Sequence, residues 1–481
     1  MTELIRNVLT PVPATGDRLL STSEPARYER VDVAIAGEDI AAIGASGSLK
    51  TSADIVIDGA DKLLLPGWVN AHTHSPEMWT RGLIPPLPLE LWLAELYAYP
   101  LQGAQQTYLS AMLTAVETLL SGGTTLVDHL VLLPGRELEA IEAAVRAYRE
   151  IGIRAYVAPL IQDEPFEWSV PGGQARLQVE VPALETQSVL AIMQEAIAAF
   201  HRPDEGIEIA MAPTGIQMCS DALFEGCRDL AAQYNLCRHS HLLETPAQEK
   251  LALEKYGTTA VEHLHALGFL GEGASFAHCV WLSDRDIELM AETGSTVVHN
   301  PLSNLRLGSG IAPVLNYLER GVNVSFGCDG AASNDGQSLF EVLKIGSMLH
   351  NITDRDYRSW LSPQYTAQLA SVGGAKGLNA THFGRLEVGQ QADLVLYDLD
   401  KLSLLPHTDP IGQIVWGRAE QVVDRVWVRG TLAVVNGHPV TVDLDDLKAQ
   451  LKGFDGWLAN RQPGMRERLE PHYRRVMDLP E

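Results

Sequence analysis

The order of apolar and polar positions between Leu65 and Asn379 follows one repeated unit. An amphipathic segment is usually followed by a glycine and then by a short β-branched run that ends in a polar residue. Apolar residues three and four apart predict a helix, and a glycine tolerates the positive φ at which helices commonly end. The unit occurs eight times, with the strand runs WVNAHTH, TTLVDH, IRAYVAP, IEIAMAP, LCRHSH, SFAHC, STVVHN and VSFGCD.

Strands that alternate with helices in this way pair in parallel, which places the chain in the α/β class. We predict a closed (β/α)8 barrel of the TIM type over residues 65–383, with an open doubly wound sheet as the alternative. The barrel is favoured because polar residues end several of the eight runs. Closure brings the carboxyl ends of all strands to one mouth, whereas an open sheet would spread these residues apart.

The two flanks of the barrel carry a different pattern, with short strands separated by glycine turns. Residues 1–64 contain VDVAIAGEDIAAIG, residues 384–442 contain ADLVLYDLD, and Asn436-Gly437 is a strong hairpin signal. Neither flank is long enough for a core of its own, so we predict that the N- and C-terminal flanks pair into one small β-sandwich. Residues 443–481 are predicted to be a helical extension that caps the assembly or makes a subunit contact.

Composition and charge argue against several classes of function. The 481 residues are 46% hydrophobic and 20% charged, which is typical of a globular protein. Lys and Arg number 36 against 61 Asp and Glu, and the net charge of −25 disfavours nucleic acids and anionic membranes as partners. The chain has no apolar run near the roughly 20 residues that span a bilayer and no secretion signal, so we expect a cytoplasmic protein. The five cysteines are scattered, and we assign them no chemistry.

Histidines occur in pairs at the ends of two predicted strands. His72 and His74 lie two residues apart, so both side chains leave an extended strand on the same face. His239 and His241 repeat this spacing at strand five, and Glu244 follows three residues later. Two imidazoles on one face suit a metal ion. A pair of hydrogen-bonded polar residues at a strand end is an equally good interpretation of such a pair taken alone.

Single polar residues end two further strands. His278 ends strand six, and Asp329 ends strand eight. Alone, such a histidine is more often structural, and an aspartate before a glycine is more often a turn residue. Their position at the same end of the predicted barrel as the paired histidines changes the interpretation, because active sites of this fold lie at that end.

The combined motifs resemble those of the amidohydrolase superfamily, and the likeness covers nearly the whole chain. It includes LPGWVNAHTH at the first strand, HNPLSNLRLGSG after the seventh and GRLEVGQQADLVLYD in the C-terminal flank. The pattern is most similar to the branch of cytosine deaminase, triazine hydrolases (TRZ/ATZ) and methylthioadenosine/adenosylhomocysteine deaminase. The resemblance implies a small-molecule substrate and, by analogy, a homodimer. It also implies one divalent metal ion with four ligands: His72, His74, His241 and Asp329.

Catalytic roles are likewise implied by the resemblance. Asp329 would accept the proton of the attacking water, Glu244 would protonate a ring nitrogen of the substrate, and His278 would stabilise the tetrahedral intermediate. Relatives with two metal ions usually bridge them with a carboxylated lysine, and the segment between His74 and His241 contains no lysine. We therefore expect a mononuclear site, with two metal ions bridged by a carboxylate, as in some members, as the alternative that this argument leaves open. Zn2+ is the expected metal because it suits three imidazoles and one carboxylate, and Fe2+ suits them nearly as well.

Residues near the expected site bear on the substrate. Nucleoside deaminases of this branch usually carry a histidine after strand four. This chain has Thr214 there, which argues against a methylthioadenosine or adenosylhomocysteine substrate. We expect three side chains to contact the substrate, each with a structural role as the alternative: Trp79 by stacking, and Gln217 and Asn304 by hydrogen bonding. Residues 162–184 form a long predicted loop of a kind that often closes over an active site.

The predicted function is that of a metal-dependent aminohydrolase. It would attack an amino-substituted carbon of a nitrogen-rich ring, or of an amidine-like substrate, and release ammonia or an amine. Hydrolytic dechlorination of a triazine, or removal of an alkylamine from one, is the alternative reaction. A barrel that has kept the fold and only binds a ligand is the alternative from another class. The presence of all six polar residues at the strand ends argues against this last alternative.

Overall fold

The computed structural model describes residues 2–12, 26–172, 185–454, 456–457, 461–462 and 464–480. Its strands are β1 (Thr2–Pro11), β2 (Tyr28–Ala36), β3 (Asp39–Ala45), β4 (Ile55–Asp58), β5 (Lys62–Pro66), β6 (Trp68–Thr73), β7 (Gly123–Val131), β8 (Arg154–Ile161), β9 (Ile207–Ile209), β10 (Ala212–Pro213), β11 (Arg238–Leu242), β12 (Ala274–His278), β13 (Thr296–His299), β14 (Asn323–Phe326), β15 (Leu394–Asp398), β16 (Val423–Val428), β17 (Thr431–Val435) and β18 (His438–Pro439).

The α-helices cover the barrel and the C-terminal part of the chain. They are α1 (Leu89–Leu96), α2 (Ala104–Leu120), α3 (Glu137–Ile151), α4 (Thr186–Phe200), α5 (Asp221–Tyr234), α6 (Pro246–Tyr256), α7 (Ala260–Ala266), α8 (Asp284–Thr293), α9 (Pro301–Arg306), α10 (Val314–Glu319), α11 (Leu339–Met348), α12 (Pro363–Gln368), α13 (Gly374–Gly377), α14 (Pro410–Trp416), α15 (Leu444–Lys452) and α16 (Met465–Val476).

Eight parallel strand positions form the barrel that the repeated unit predicts. β6, β7, β8 and the two pieces β9 and β10 make one sheet, and β11 to β14 make a second. Strand four is interrupted, and both of its pieces pair with β8. Backbone hydrogen bonds join the two sheets at both seams. The His239 amide donates to the Met211 carbonyl, and the Asp329 amide donates to the His72 carbonyl, each over 2.9 Å. The predicted α/β barrel of the TIM type is confirmed.

Helix α8 shows how local sequence sets the ends of these elements. It begins after Ser283, whose hydroxyl accepts a hydrogen bond from the Asp286 amide, while the Asp286 carboxylate accepts one from the Ser283 amide. It ends at Gly294, where φ is 73°. Ile287 and Met290, three residues apart, are buried and turn one face of the helix toward the barrel core.

Strands from both ends of the chain pair in one sheet beside the barrel. β15 runs antiparallel to β5 and so connects β1–β5 with β15–β18. Alternate residues of β5 enter two different cores: Leu64 packs among apolar residues of the flank sheet, whereas Leu63 and Leu65 join the core of the barrel. Because alternate side chains of a strand point to opposite faces, β5 packs against both cores and joins the sheet to the barrel. The sandwich shape and the boundaries at residues 64, 384 and 442 stay predictions.

The periphery of the chain bears on two further predictions. Residues 443–481 contain α15 and α16, and the expected role of this extension as a cap or a subunit contact stays a prediction. Of the long predicted loop, residues 173–184 lie outside the described residues, so its closing role also stays a prediction. Within the described ranges, no helix is long and apolar enough to cross a lipid bilayer.

Candidate active site

A cavity of about 410 Å³ opens at the carboxyl ends of the barrel strands. This volume lies within the roughly 300–1,000 Å³ that is usual for small-molecule sites. Of the six polar residues predicted to form the site, His72 is fully buried beneath the cavity. The other five line it: His74, His241, Glu244, His278 and Asp329.

The predicted metal ligands converge at the floor of this cavity. The Nε2 atoms of His74 and His241 lie 3.1 Å apart, and Asp329 Oδ1 lies 3.5 Å from His74 Nε2 and 3.3 Å from His72 Nε2. His72 Nε2 is buried and has no hydrogen-bond partner among the described residues. Unpartnered nitrogen lone pairs beside a carboxylate oxygen are a donor set that a divalent cation satisfies. The residues present therefore fit a metal ion.

Backbone carbonyls orient two of the three histidines. His74 Nδ1 donates to the His129 carbonyl over 2.6 Å, and His241 Nδ1 donates to the Thr214 carbonyl over 2.7 Å. A carbonyl oxygen only accepts, so Nδ1 must carry the proton in both rings. The Nε2 lone pairs are consequently free and face the centre of the site, as in most histidine metal sites.

His239 orients the third histidine, a role that the sequence pattern left open. Its Nε2 lies 2.7 Å from His72 Nδ1, and its Nδ1 lies 2.7 Å from Ser275 Oγ. This chain of contacts fixes the ring of His72 with Nε2 toward the other ligands. The spacing of His239 and His241 placed both on one face of β11, but spacing alone does not separate a ligand from the residue that supports a ligand.

Burial sets the charge state of these groups. It lowers the pKa of His72, His239 and His241 well below the usual histidine range, which makes them neutral near pH 7. Neutral imidazole is the form that binds a metal. Burial alone would raise the pKa of Asp329, but the neighbouring imidazoles, His72 first, outweigh it and hold that pKa well below its usual range. The site thus combines neutral nitrogen donors with one ionised carboxylate.

Glu244 and His278 face each other beside the ligand atoms. His278 Nε2 lies 3.5 Å from Glu244 Oε2 and 3.8 Å from Asp329 Oδ2. Glu244 Oε1 accepts a hydrogen bond from Ser309 Oγ over 2.9 Å. Burial raises the pKa of Glu244 above its usual range. A carboxyl group that keeps its proton to higher pH is suited to donate that proton near neutrality.

The strand ends at the site carry unusual backbone angles. Leu243, His278 and Asp329 have φ values of 46°, 73° and 63°, in the left-handed region that non-glycine residues rarely adopt. Such conformations cost on the order of 1–3 kcal/mol each and concentrate at functional sites. Here they turn the chain sharply where β11, β12 and β14 reach the cavity.

The three predicted substrate contacts lie in different places. Gln217 lines the cavity, and its buried Oε1 has no hydrogen-bond partner among the described residues. Asn304 Oδ1 accepts a hydrogen bond from His278 Nδ1 over 2.9 Å and so supports that histidine. The indole N–H of Trp79 donates to the Gln106 carbonyl over 3.0 Å, which is an anchoring contact. Only Gln217 of the three is among the described residues that line the cavity, and direct substrate contact stays a prediction for each.

Glu77 is a cavity residue to which the sequence analysis gave no role. It lies three residues after His74 in a short 3-10 helix, Ser75–Thr80, and its carboxylate accepts a hydrogen bond from the Ala332 amide over 3.2 Å. A Cβ on Gly330 would come within 1.8 Å of Glu77 Oε2, so this carboxylate requires a glycine there. Burial raises the pKa of Glu77 well above its usual range. The only sequence signal was an acidic residue shortly after HTH.

The amidohydrolase family model matches residues 63–433, which include every predicted metal ligand and catalytic residue. The chain belongs to the amidohydrolase family. This amidohydrolase is 33% identical over 432 residues to a 5-methylthioadenosine/S-adenosylhomocysteine deaminase of Syntrophobacter fumaroxidans, a match that covers 89% of this chain and 93% of the relative. The resemblance inferred from the motifs is confirmed.

Solved structures of the family agree with this assignment. The amidohydrolase matches an adenosine deaminase from Xanthomonas campestris with bound zinc at a TM-score of 0.83 and 27% identity, over 95% of this chain and 98% of that one. It matches atrazine chlorohydrolase TrzN from Arthrobacter aurescens TC1, complexed with zinc, at a TM-score of 0.83 and 26% identity, over 94% and 99% of the two chains. The predicted class is confirmed: the protein is a hydrolase of non-peptide carbon–nitrogen bonds with a divalent-metal site.

Proposed function

We propose that this amidohydrolase deaminates uncharged adenosine-type nucleosides with the help of one zinc ion. The observation that carries the proposal is the position of Glu244 and His278 beside the converging ligand atoms, all at the floor of one cavity. That arrangement suits attack of water on an amino-substituted carbon next to a ring nitrogen. The relatives named as deaminases of adenosine derivatives support an aminopurine ring.

Zinc is favoured by the donor set and by the relatives. The ion would be held by His72, His74, His241 and Asp329, and three imidazole nitrogens with one carboxylate suit zinc. When bound, it supplies Lewis-acid chemistry and lowers the pKa of a water molecule toward about 7. The two structural neighbours with bound zinc support this choice over iron.

The side chains of the protein move the protons in this proposal. Asp329 accepts a proton from the attacking water. Glu244, whose pKa is raised by burial, donates a proton to the ring nitrogen beside the reacting carbon. His278, held in place by Asn304, hydrogen bonds to the attacking oxygen as the tetrahedral intermediate forms. The amino group then takes up the proton held by Asp329 and leaves as ammonia, while the ionised Glu244 accepts the proton of the new hydroxyl group as the carbonyl forms.

The charge of the cavity limits the substrate. None of its lining residues in the described part of the chain is Lys or Arg, whereas Glu77, Glu244 and Asp329 each contribute a carboxyl group. A phosphate group would meet these acids in a partly desolvated space with no cationic side chain to pair with. We therefore expect nucleosides and bases to bind, and nucleotides to be rejected.

Thr214 bears on the choice among adenosine derivatives. Its hydroxyl donates to the Ile161 carbonyl over 3.0 Å, so this donor is already used at the position where relatives of the nucleoside branch usually carry a histidine. Gln217, three positions along the chain, is a cavity-lining side chain whose oxygen has no hydrogen-bond partner among the described residues. Comparison of adenosine with methylthioadenosine and adenosylhomocysteine as substrates tests the expectation that this difference disfavours the last two.

An ammonia-release assay on zinc-loaded protein tests the proposal. The panel comprises adenosine, its 5′-substituted derivatives, guanine, cytosine and AMP. We expect kcat/KM to be highest for an adenosine-type nucleoside and on the order of 10²-fold lower for AMP. Absence of ammonia from every aminopurine would contradict the proposed reaction, and equal activity on AMP would contradict the charge argument.

Hydrolysis of a triazine is the second candidate. The similarity to atrazine chlorohydrolase TrzN supports it. The cavity also has an outer, solvent-facing part, marked by the half-buried Leu93 and Leu96 and the exposed Leu101, and these apolar side chains suit small alkyl groups. Release of chloride or an alkylamine from a triazine, without ammonia from any aminopurine, would favour this candidate over deamination.

A further inference from the structure

The outer end of the cavity includes a residue from beyond the barrel. Trp457 lies in the C-terminal extension, residues 443–481, after the last residue of the amidohydrolase family match at 433. It nevertheless lines the same cavity as His74 and Glu244. The family match therefore accounts for the metal end of the cavity but not for this part of its wall.

The surroundings of Trp457 are apolar and aromatic. Its ring lies parallel to that of Tyr99, with 6.4 Å between ring centroids and 20° between the planes. Tyr99 also lines the cavity, together with the adjacent Pro100 and Leu101. Such surfaces bind alkyl, thioether or flat ring groups through burial of apolar area and stacking.

Polar contacts fasten the extension to the cavity wall. The Gln462 amide donates to the Ala98 carbonyl over 2.6 Å. Arg461 and Arg466 both pair with Glu95, a buried carboxylate of α1, and Arg466 Nη1 lies 3.0 Å from Glu95 Oε1. These contacts flank Trp457 on its C-terminal side and hold the chain against α1.

Helix α16 continues this attachment over a larger area. Leu469 and Tyr473 pack in one apolar cluster with Leu91 and Ala94 of α1. His472 Nε2 donates to the Pro171 carbonyl over 3.0 Å. Because α1 also supplies cavity-lining side chains on another face, the extension supports one wall from behind while Trp457 forms part of its surface.

We propose that Trp457, in the described part of the C-terminal extension, belongs to the substrate site and is a specificity-determining residue that contacts an uncharged apolar substituent remote from the reacting carbon. The inference rests on the proposed function in one respect, namely that the reacting carbon of the substrate lies at the metal end of the cavity. It assigns the outer end of the cavity to an alkyl, thioether or aromatic group. The extension thereby selects among substrates that share the same reacting ring.

Kinetics on two substrates that differ only in the remote substituent test this inference. Adenosine and its 5′-deoxy-5′-methylthio analogue form such a pair, assayed with zinc-loaded full-length protein. We expect Trp457→Ala to raise KM for the methylthio compound by about 3- to 10-fold, with kcat within about 2-fold and little change for adenosine. Trp457→Phe should restore most of the affinity because it keeps an aromatic face.

Two further variants separate contact from packing. Trp416→Ala replaces a half-exposed tryptophan on α14 that is not among the cavity-lining residues, and it should change neither KM. Phe454→Ala removes a side chain of the same extension that packs on Trp79, with 5.4 Å between centroids. The inference would be overturned if Trp457→Ala left KM for the methylthio compound unchanged. It would also be overturned if Trp457→Ala and Phe454→Ala each raised KM equally for adenosine and for the methylthio compound, because that result indicates a general loss of packing. If no aminopurine reacts, the proposed function fails, and the same variants are judged on triazines with short and long alkylamino groups.

Discussion

The two ends of the cavity are built from different parts of the chain. At the metal end, side chains from the ends of β6, β11, β12 and β14 converge, and hydrogen bonds to backbone carbonyls or neighbouring side chains fix several of them. At the outer end, apolar side chains come from α1, from the segment that follows it and from the C-terminal extension. The difference indicates that the reaction and the choice of substrate depend on separable regions, one fixed by the barrel strands and one assembled around them.

Removal of a metal ligand is the most severe test of the metal end. We expect His241→Ala to lose most of the bound metal and to lower kcat/KM by more than about 10³-fold, because the remaining donors no longer complete the ligand set. Metal analysis of purified protein and the ammonia-release assay measure the two effects. His438→Ala, which changes an exposed histidine of β18, is the control. Full metal content in His241→Ala would show that the ligand is assigned wrongly.

Loss of the proton donor tests the reaction without removing the metal. Glu244→Gln keeps the shape of the side chain and can still bond to Ser309, but it cannot donate an acidic proton. We expect metal content to stay normal and kcat to fall by about 10²- to 10⁴-fold. Normal turnover in this variant would place the proton transfer on another residue.

We expect a smaller loss of metal affinity when His239, which contacts the ligand His72, is replaced. His239→Ala removes the contact that fixes the ring of His72 and leaves Ser275 without its imidazole partner. Supporting residues of this kind typically contribute 10- to 100-fold to metal affinity, so we expect a loss of about that size. Competition with a chelator of known affinity measures it. Unaltered affinity would show that His72 is held by packing alone.

The sequence predicted the metal end well because its signals are local. His72 and His74 share a face through the period of two in a strand, and the eightfold repeat placed that face at a barrel mouth. The role of Glu77 could not be found this way. Its position depends on Gly330 and Ala332, which belong to the loop after β14 and are more than 250 positions away.

The supporting contacts and the outer end of the cavity were harder to predict because the residues that meet there are distant in sequence. The sequence pattern also does not show that Asn304 Oδ1 accepts a hydrogen bond from His278, and the predicted contact of Asn304 with the substrate stays a prediction. Nor does it show that the indole N–H of Trp79 donates to the Gln106 carbonyl, and stacking of Trp79 on the substrate likewise stays a prediction. Trp457 lies in the C-terminal extension, for which the sequence predicted only helices. The spacing of apolar residues predicts which face of a helix or strand is buried. It does not predict which distant part of the chain packs on that face.

The smallest effect is expected from the contact between the extension and α1, which tests whether the outer end of the cavity can be altered without changing the metal end. Glu95 is buried, whereas Arg461 and Arg466 are 39% and 32% exposed, so Glu95→Gln removes both ion pairs without leaving a fully buried, unpaired cation. We expect a loss of about 1 kcal/mol in the free energy of unfolding, since partly exposed pairs contribute little. KM for the methylthio substrate should rise about 2-fold with kcat unchanged. Glu470→Gln, which alters weaker pairs with Arg466 and Arg474, is the matched control. A fall in kcat comparable to that of Glu244→Gln would show that the outer end also sets the geometry of the reaction.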